Sequence, residues 1–200
     1  MMGIFILVFL LSLTLYDAEG SCWRRAPGGP APPTGSPPPA TPAPPPSACQ
    51  KVPLHRYWNP RWIDHFYTIN PNNQELAKHS FRHELIQGYV YKNRCKGSVP
   101  LYRYLSPRGL DHFYTTNPNE IGTTVPGRMG KHGYKSEGHE GYCMPRKVPG
   151  TVPLYRYWKA HQADHFYTTN IREIGTATPG RVGKHGYKSE GITCYIFPKP

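Results

Sequence analysis

Three Asp-His pairs, Asp64-His65, Asp111-His112 and Asp164-His165, are the residues of this chain most suited to chemistry. Each opens the same segment, Asp-His-Phe-Tyr-Thr. Three equivalent imidazoles could hold zinc if they met on an axis. No Cys-x-x-Cys spacing supports a metal locally, and His79 and His83, at i and i+4 beside Lys78 and Arg82, read as a polar helix face. The pairs therefore imply structural hydrogen bonding, with no metal and no cofactor. Arg56/Asp64, Arg103/Asp111 and Arg156/Asp164 would be diagonal neighbours in a hairpin and read as repeated structural ion pairs. A carboxylate beside a cation stays ionised and makes a poor acid. Glycosidase chemistry needs two carboxyl groups with separated pKa values, which this pattern does not offer. No Gly-x-Ser-x-Gly elbow is present, and Gly127-Arg-Met-Gly-Lys-His132 does not complete a phosphate-binding loop. The chain reads as noncatalytic.

A second set of residues suits binding better. The string Gly-Lys-His-Gly-Tyr-Lys-Ser-Glu-Gly occurs identically at 130–138 and 183–191. Tyr134 and Tyr187 could stack on a sugar ring, and Glu137 and Glu190 could accept its hydroxyl hydrogens. Lys131, Lys135, Lys184 and Lys188 would supply charge. Burial of the tyrosines would instead make the string a duplicated turn and strand.

These residues recur because the chain repeats itself three times. Val52-Pro-Leu-His-Arg-Tyr57, Val99-Pro-Leu-Tyr-Arg-Tyr104 and Val152-Pro-Leu-Tyr-Arg-Tyr157 open the copies, and an Asp-His segment follows twelve positions after each Val. Each copy then reaches a Gly-Tyr, at Gly88-Tyr89, Gly133-Tyr134 and Gly186-Tyr187. Periods of 47 and 53 residues suit a repeat architecture whose units cannot bury their own faces. Alternating aromatic and β-branched residues predict strands. Five residues, 59–63, would form a hairpin loop that sets Trp58 opposite Asp64 and Arg56 opposite Phe66. The last segment of each copy reads as two further short strands. Residues 73–86 carry helix formers in the first copy, whereas Gly and Pro limit the other copies to a helical turn. The expected fold is mainly β: a closed pseudo-threefold body resembling a β-trefoil, or else a small three-bladed propeller, with one short helix in the first repeat.

The pattern VPLYRYW…DHFYTTN…EIGT…GYKSEG resembles a secreted tandem-repeat family of unknown function, over nearly all of residues 52–198. The resemblance implies an extracellular, noncatalytic module and supplies no substrate or catalytic residue. In the first copy, Lys92-Asn93-Arg94-Cys95 stands where the family pattern places the Glu-Gly of Glu137-Gly138 and Glu190-Gly191.

The flanking sequence bears on the compartment. Residues 4–16 are almost wholly apolar yet too short to span a bilayer, and read as a signal peptide over 1–20. Residues 21–48 comprise a Cys22 head and a spacer with eleven prolines in 23 positions, suited to extended polyproline II. The repeat domain occupies 49–200, divided as 52–98, 99–151 and 152–198. A secreted chain makes disulfides plausible. Pairing of Cys49 with Cys194 and of Cys95 with Cys143 is expected, with Cys22 free to link two chains. Pairing of Cys22 with Cys49 is the alternative. The net charge of +12 favours acidic extracellular partners, and secretion disfavours nucleic acid. The reading is a secreted glycan-binding module without a membrane span. The alternative is a structural protein of matrix or mucus, joined through Cys22.

Overall fold

The computed structural model describes residues 49–108 and 110–199. The expected signal peptide, Cys22 head and Pro-rich spacer lie outside the described residues. Each repeat folds into three antiparallel strands: β1 (Lys51–Asn59), β2 (Asp64–Thr68) and β3 (Arg82–Tyr91), then β4 (Val99–Ser106), β5 (Asp111–Thr115) and β6 (Lys135–Cys143), then β7 (Val152–Lys159), β8 (Asp164–Thr168) and β9 (Lys188–Ile196). The Val-Pro-Leu strand is central in every copy, with the Asp-His strand on one side and the last strand on the other. The first two units join as a six-stranded sheet, order β2-β1-β3-β6-β4-β5, and the third forms the sheet β8-β7-β9. One pair, Tyr91↔Tyr142, links the first two units. Bridges Met144↔Tyr195 and Tyr89↔Phe197 connect the third to both.

The architecture is mainly β, and the closed trefoil expected from the repeats is not formed. A trefoil barrel needs its inner strands hydrogen-bonded to one another. Here β2, β5 and β8 are buried at every position, yet their inner backbone edges meet tyrosine hydroxyls instead. Tyr114 Oη accepts from Tyr67 N at 2.7 Å and donates to Tyr67 O at 2.8 Å. Tyr167 Oη does the same for Tyr114, and Tyr67 Oη for Tyr167, all at 2.7 Å. The three rings stand edge to face, with centroids 5.3–5.4 Å apart. Around them Leu54, Leu101, Leu154, Val90 and Ile196 complete the central core.

The hairpin register differs from the sequence expectation by one position. Trp58 faces His65, Arg56 faces Tyr67, and Asn59 pairs with Asp64. The loop is thus four residues long, because Asn59 Oδ1 accepts from the backbone N–H groups of Arg61 and Trp62, and Ile63 N donates to Asn59 O. Ile63, Leu110 and Ala163 close the three equivalent loops at φ of 49–56°, a conformation unusual for non-glycine residues and unmarked in the sequence. The end segment of the second and third copies is one bulged nine-residue strand rather than two, with register shifts against the central strand. The helix expected in the first repeat, α1 (Gln74–Lys78), is capped by Asn73 but ends at Lys78, since residues 82–91 are recruited to pair with β1. The other copies carry single 3-10 turns at Pro118–Glu120 and Ile171–Glu173.

The four paired cysteines are those expected, but their partners are different. Cys49 bonds Cys95 and Cys143 bonds Cys194, not Cys49 with Cys194 or Cys95 with Cys143. Antiparallel pairing of Lys51 with Tyr91 brings the flanks of β1 and β3 together, leaving Cys49 and Cys95 Cα atoms 5.7 Å apart. The Met144↔Tyr195 bridge similarly places Cys143 beside Cys194. Neighbouring units approach closely there: a Cβ on Gly88 would meet Ile196 at 2.6 Å, and one on Gly141 would meet Tyr91 O at 2.7 Å.

Two measurements check this architecture. Nonreducing peptide mapping should recover Cys49 joined to Cys95 and Cys143 joined to Cys194; a Cys49–Cys194 peptide would refute the chain path. Tyr114→Phe strands a buried N–H and C=O of Tyr67, each worth about 1–3 kcal/mol. Urea unfolding should therefore show a loss of several kcal/mol, and a loss below about 0.5 kcal/mol would dismiss the hydroxyl ring as a structural determinant.

Candidate functional site

The polar residues singled out by spacing gather where consecutive repeats meet. The expected Arg56/Asp64, Arg103/Asp111 and Arg156/Asp164 pairs do not form, because the one-position register change sends each Asp away from its own Arg. Asp64 instead accepts from His112 N at 3.0 Å and contacts His112 Nδ1 at 2.6 Å. Asp111 binds His165 in the same way, and Asp164 binds His65, closing the cycle. It is the aspartates that converge, not the imidazoles: one carboxylate oxygen from each of Asp64, Asp111 and Asp164 lies within 4.8 Å of the others. Every one of their oxygens already accepts from a histidine N–H or ring.

Burial raises the Asp64 carboxyl above its ordinary range, the Asp111 charge adds to this, and His112 opposes it. For His112, burial works against the proton, but the Asp64 carboxylate outweighs it and raises the imidazole above 6.5. Each histidine turns its Nε2 outward to a glutamate, His112 to Glu137 at 3.7 Å, His165 to Glu190 at 3.6 Å and His65 to Glu84 at 3.8 Å.

The arginines take up those glutamates. Arg56 bonds Glu84 of its own repeat at 2.8 Å and, through two nitrogens, Glu173 of the third repeat at 3.0 and 3.2 Å. Arg156 lies 2.9 Å from Glu190 and forks onto Glu120 at 3.0 and 3.3 Å. Arg103 is held by Glu137 and Glu140. Each guanidinium also lies over a phenylalanine of the neighbouring repeat, Phe166, Phe113 or Phe66, at 4.7–4.9 Å. Burial would raise the Glu120 and Glu173 carboxyls, but hydrogen bonds from Arg156 with Thr115, and from Arg56 with Thr168, outweigh it and hold both below their ordinary range.

Two junctions open to solvent as clefts. Between repeats two and three, Phe113, Glu120, Tyr134, Arg156, His165 and Glu190 line a cavity of about 300 Å³. Between repeats three and one, Arg56, His65, Glu84, Phe166, Glu173 and Tyr187 line one of about 400 Å³. The identical nine-residue strings therefore do not each build a site. Tyr134, just before β6, joins Glu190, while Glu137, at the β6 bulge, faces the first junction, between repeats one and two. Tyr187 is only 7% exposed, and both tyrosines donate their hydroxyls to an aspartate, Tyr134 to Asp111 and Tyr187 to Asp164. They line the clefts rather than offer a broad platform. Lys131 Nζ and Lys184 Nζ donate to the carbonyls of Asn119 and Arg172 and staple loops, while Lys188 stands exposed and Lys135 half-buried on the last strands.

The first junction is different. Phe81 stands where Tyr134 and Tyr187 stand, and packs with Phe66 and Leu76 of α1. Glu84 is the structural counterpart of Glu137 and Glu190, since His83 pairs with Tyr57 as Ser136 does with Tyr104. The first copy thus keeps this glutamate eight residues before Lys92, and Gly88-Tyr89 corresponds to Gly141-Tyr142. It lacks a counterpart of Glu120 and Glu173, and Glu140 from β6 replaces it, binding Thr68 Oγ1 and Ile69 N. Glu120 and Glu173 carried no distinctive spacing of their own, only their recurrence in Glu-Ile-Gly-Thr.

A sequence profile with the description "Domain of unknown function (DUF5648)" matches residues 39–127 and again 111–197, each segment reaching across two repeats. No curated protein and no solved structure matches the chain. Among the described residues, no helix is long and apolar enough to cross a membrane.

A histidine whose pKa is raised on folding stabilises fully below its unfolded value and loses that contribution as pH rises through its folded value. The thermal midpoint should therefore fall as pH rises above about 6.5, and His112→Asn should lower the midpoint and flatten that slope. Parallel profiles for the two proteins would exclude His112 as the titrating group.

Proposed function

The chain belongs to the DUF5648 family, and on that premise we propose that it is a secreted, noncatalytic glycan-binding module with ligands seated in the two open repeat junctions. One observation carries the reading. Each open junction holds two fixed carboxylates, Glu120 with Glu190 or Glu173 with Glu84, which stay 30–32% exposed although an arginine bridges them. Fixed carboxylates beside a tyrosine edge and a phenylalanine suit the hydroxyls and the apolar face of a sugar ring. The arginine offsets one of the two negative charges, so the cleft suits a ligand without negative charge of its own. At the first junction Glu137 and Glu140 are only 21% and 10% exposed, and an apolar cluster takes the tyrosine's place. Two ligands per chain, not three, follow from this. A recess of about 390 Å³ shares His65, Glu84 and Tyr187 with the cleft between repeats three and one, giving room for a second ring. We adopt the three-bladed description of the body, supported by the cyclic contacts around the tyrosine ring.

The structural-matrix reading retains one supporting observation. Four of the five cysteines pair within the domain, and Cys22 is not among them.

Binding of the full mature chain to immobilised neutral and acidic polysaccharides at low and high salt tests the proposal. Retention at high salt should fall by about tenfold in Glu120→Gln with Glu173→Gln, the scale of a lost hydrogen bond to a charged group. Titration with the retained oligosaccharide should saturate at two per chain. Absence of salt-resistant retention, together with covalent oligomers abolished by Cys22→Ser, would favour the matrix protein instead.

A further inference from the structure

A different recess, remote in character from the junctions, lies between the β1–β2 loop and the end of α1. Its volume is about 290 Å³, and Arg61, Lys78 and Arg82 line it together with Trp62 and His79. None of its lining residues is acidic. Arg61 and Arg82 make no side-chain hydrogen bond or ion pair among the described residues, in contrast to Arg56, Arg103 and Arg156 at the junctions. The acid on α1, Glu75, is held by His79 Nε2 at 3.0 Å and Lys78 Nζ at 3.7 Å.

The walls are built rather than incidental. Buried Asn59 accepts from Arg61 N and Trp62 N on one side and donates through Nδ2 to His79 O, at 2.7 Å, on the other. Trp62 packs on His79 with ring centroids 4.2 Å apart. The recess itself is a property of the repeat, because the second copy has a counterpart of about 360 Å³ between Ser106-Pro107-Arg108 and Met129–Gly133. In that copy a single arginine, Arg108, faces an apolar Met129. In the third copy, Lys159, Ala160 and His161 occupy the loop. Only the first copy concentrates three cations and an indole in this place.

We propose that this recess binds an oxyanion carried on a sugar ring, the sulfate or carboxylate of an acidic glycan. Arg61 and Arg82 take the oxyanion, since a guanidinium fork matches sulfate and carboxylate geometry, and the Trp62 indole takes the ring. The site is independent of the junction clefts, whose arginines are already neutralised. It also places part of the chain's positive charge where that charge can select a ligand.

Calorimetry of the full chain with a heparin-derived hexasaccharide, at about 0.15 M salt where exposed charges are substantially screened, tests this directly. Arg61→Ala with Arg82→Ala should lower affinity by about tenfold or more, and Trp62→Ala by about threefold or more. Lys92→Ala with Arg94→Ala removes the same charge from exposed positions outside the recess and should change affinity less than about twofold. Equal losses in the two double variants would overturn the site in favour of diffuse charge. Indifference to Trp62→Ala, or inorganic sulfate binding as tightly as the hexasaccharide, would overturn the sugar assignment. Glu120→Gln with Glu173→Gln removes two negative charges and should not weaken this binding; a loss there would place the acidic glycan in the junctions.

Discussion

The structure depends on how three inner strand edges are satisfied without a fourth strand to pair with. In β2, β5 and β8 the backbone groups of Tyr67, Tyr114 and Tyr167 are buried and face inward, where an unpaired N–H or C=O is costly. A tyrosine hydroxyl can accept one hydrogen bond and donate another, so a single side chain can serve both groups of a neighbouring residue. Three of them arranged head to tail close the cycle. The arrangement needs three copies, because removing one would orphan the backbone of another.

The same logic operates two residues earlier on each strand. The backbone N–H of His65, His112 and His165 is satisfied by an aspartate from the preceding repeat, and the imidazole then turns its free nitrogen toward a glutamate. That glutamate is bound by an arginine, which at two junctions reaches back to a second glutamate of the neighbouring repeat and at the first to Glu140 of its own. Each repeat thus contributes polar groups to the networks at both of its boundaries. Burial of charges on this scale costs desolvation, which dense mutual pairing offsets. At two junctions the outer glutamates nevertheless keep about a third of their side-chain surface exposed.

Duplication supplied three equivalent frames, and divergence then gave them separate surfaces. In the first repeat Phe81 and Leu76 close the junction that Tyr134 and Tyr187 leave open elsewhere. The same segment, with α1, supplies Lys78, His79 and Arg82 to the recess whose other wall carries Arg61 and Trp62.

The sequence by itself determined that three β-rich repeats form the body, that each has a Val-Pro-Leu strand followed by an Asp-His strand, and that four cysteines of the repeat domain can pair. These follow from recurrence, alternation and composition, which are local properties of a chain. Hairpin register was beyond its reach, because Asn59 and Ile63 shape a loop without the glycine that would announce it. A shift of one position reverses which side chains share a face, so Arg56 lost Asp64 as its partner. Disulfide partners, the exchange of Asp and His between repeats, and the meeting of Tyr134 with Glu190 were decided by tertiary structure alone. Each joins residues from different strands or repeats, and sequence periodicity records that such residues are equivalent without recording which equivalents touch.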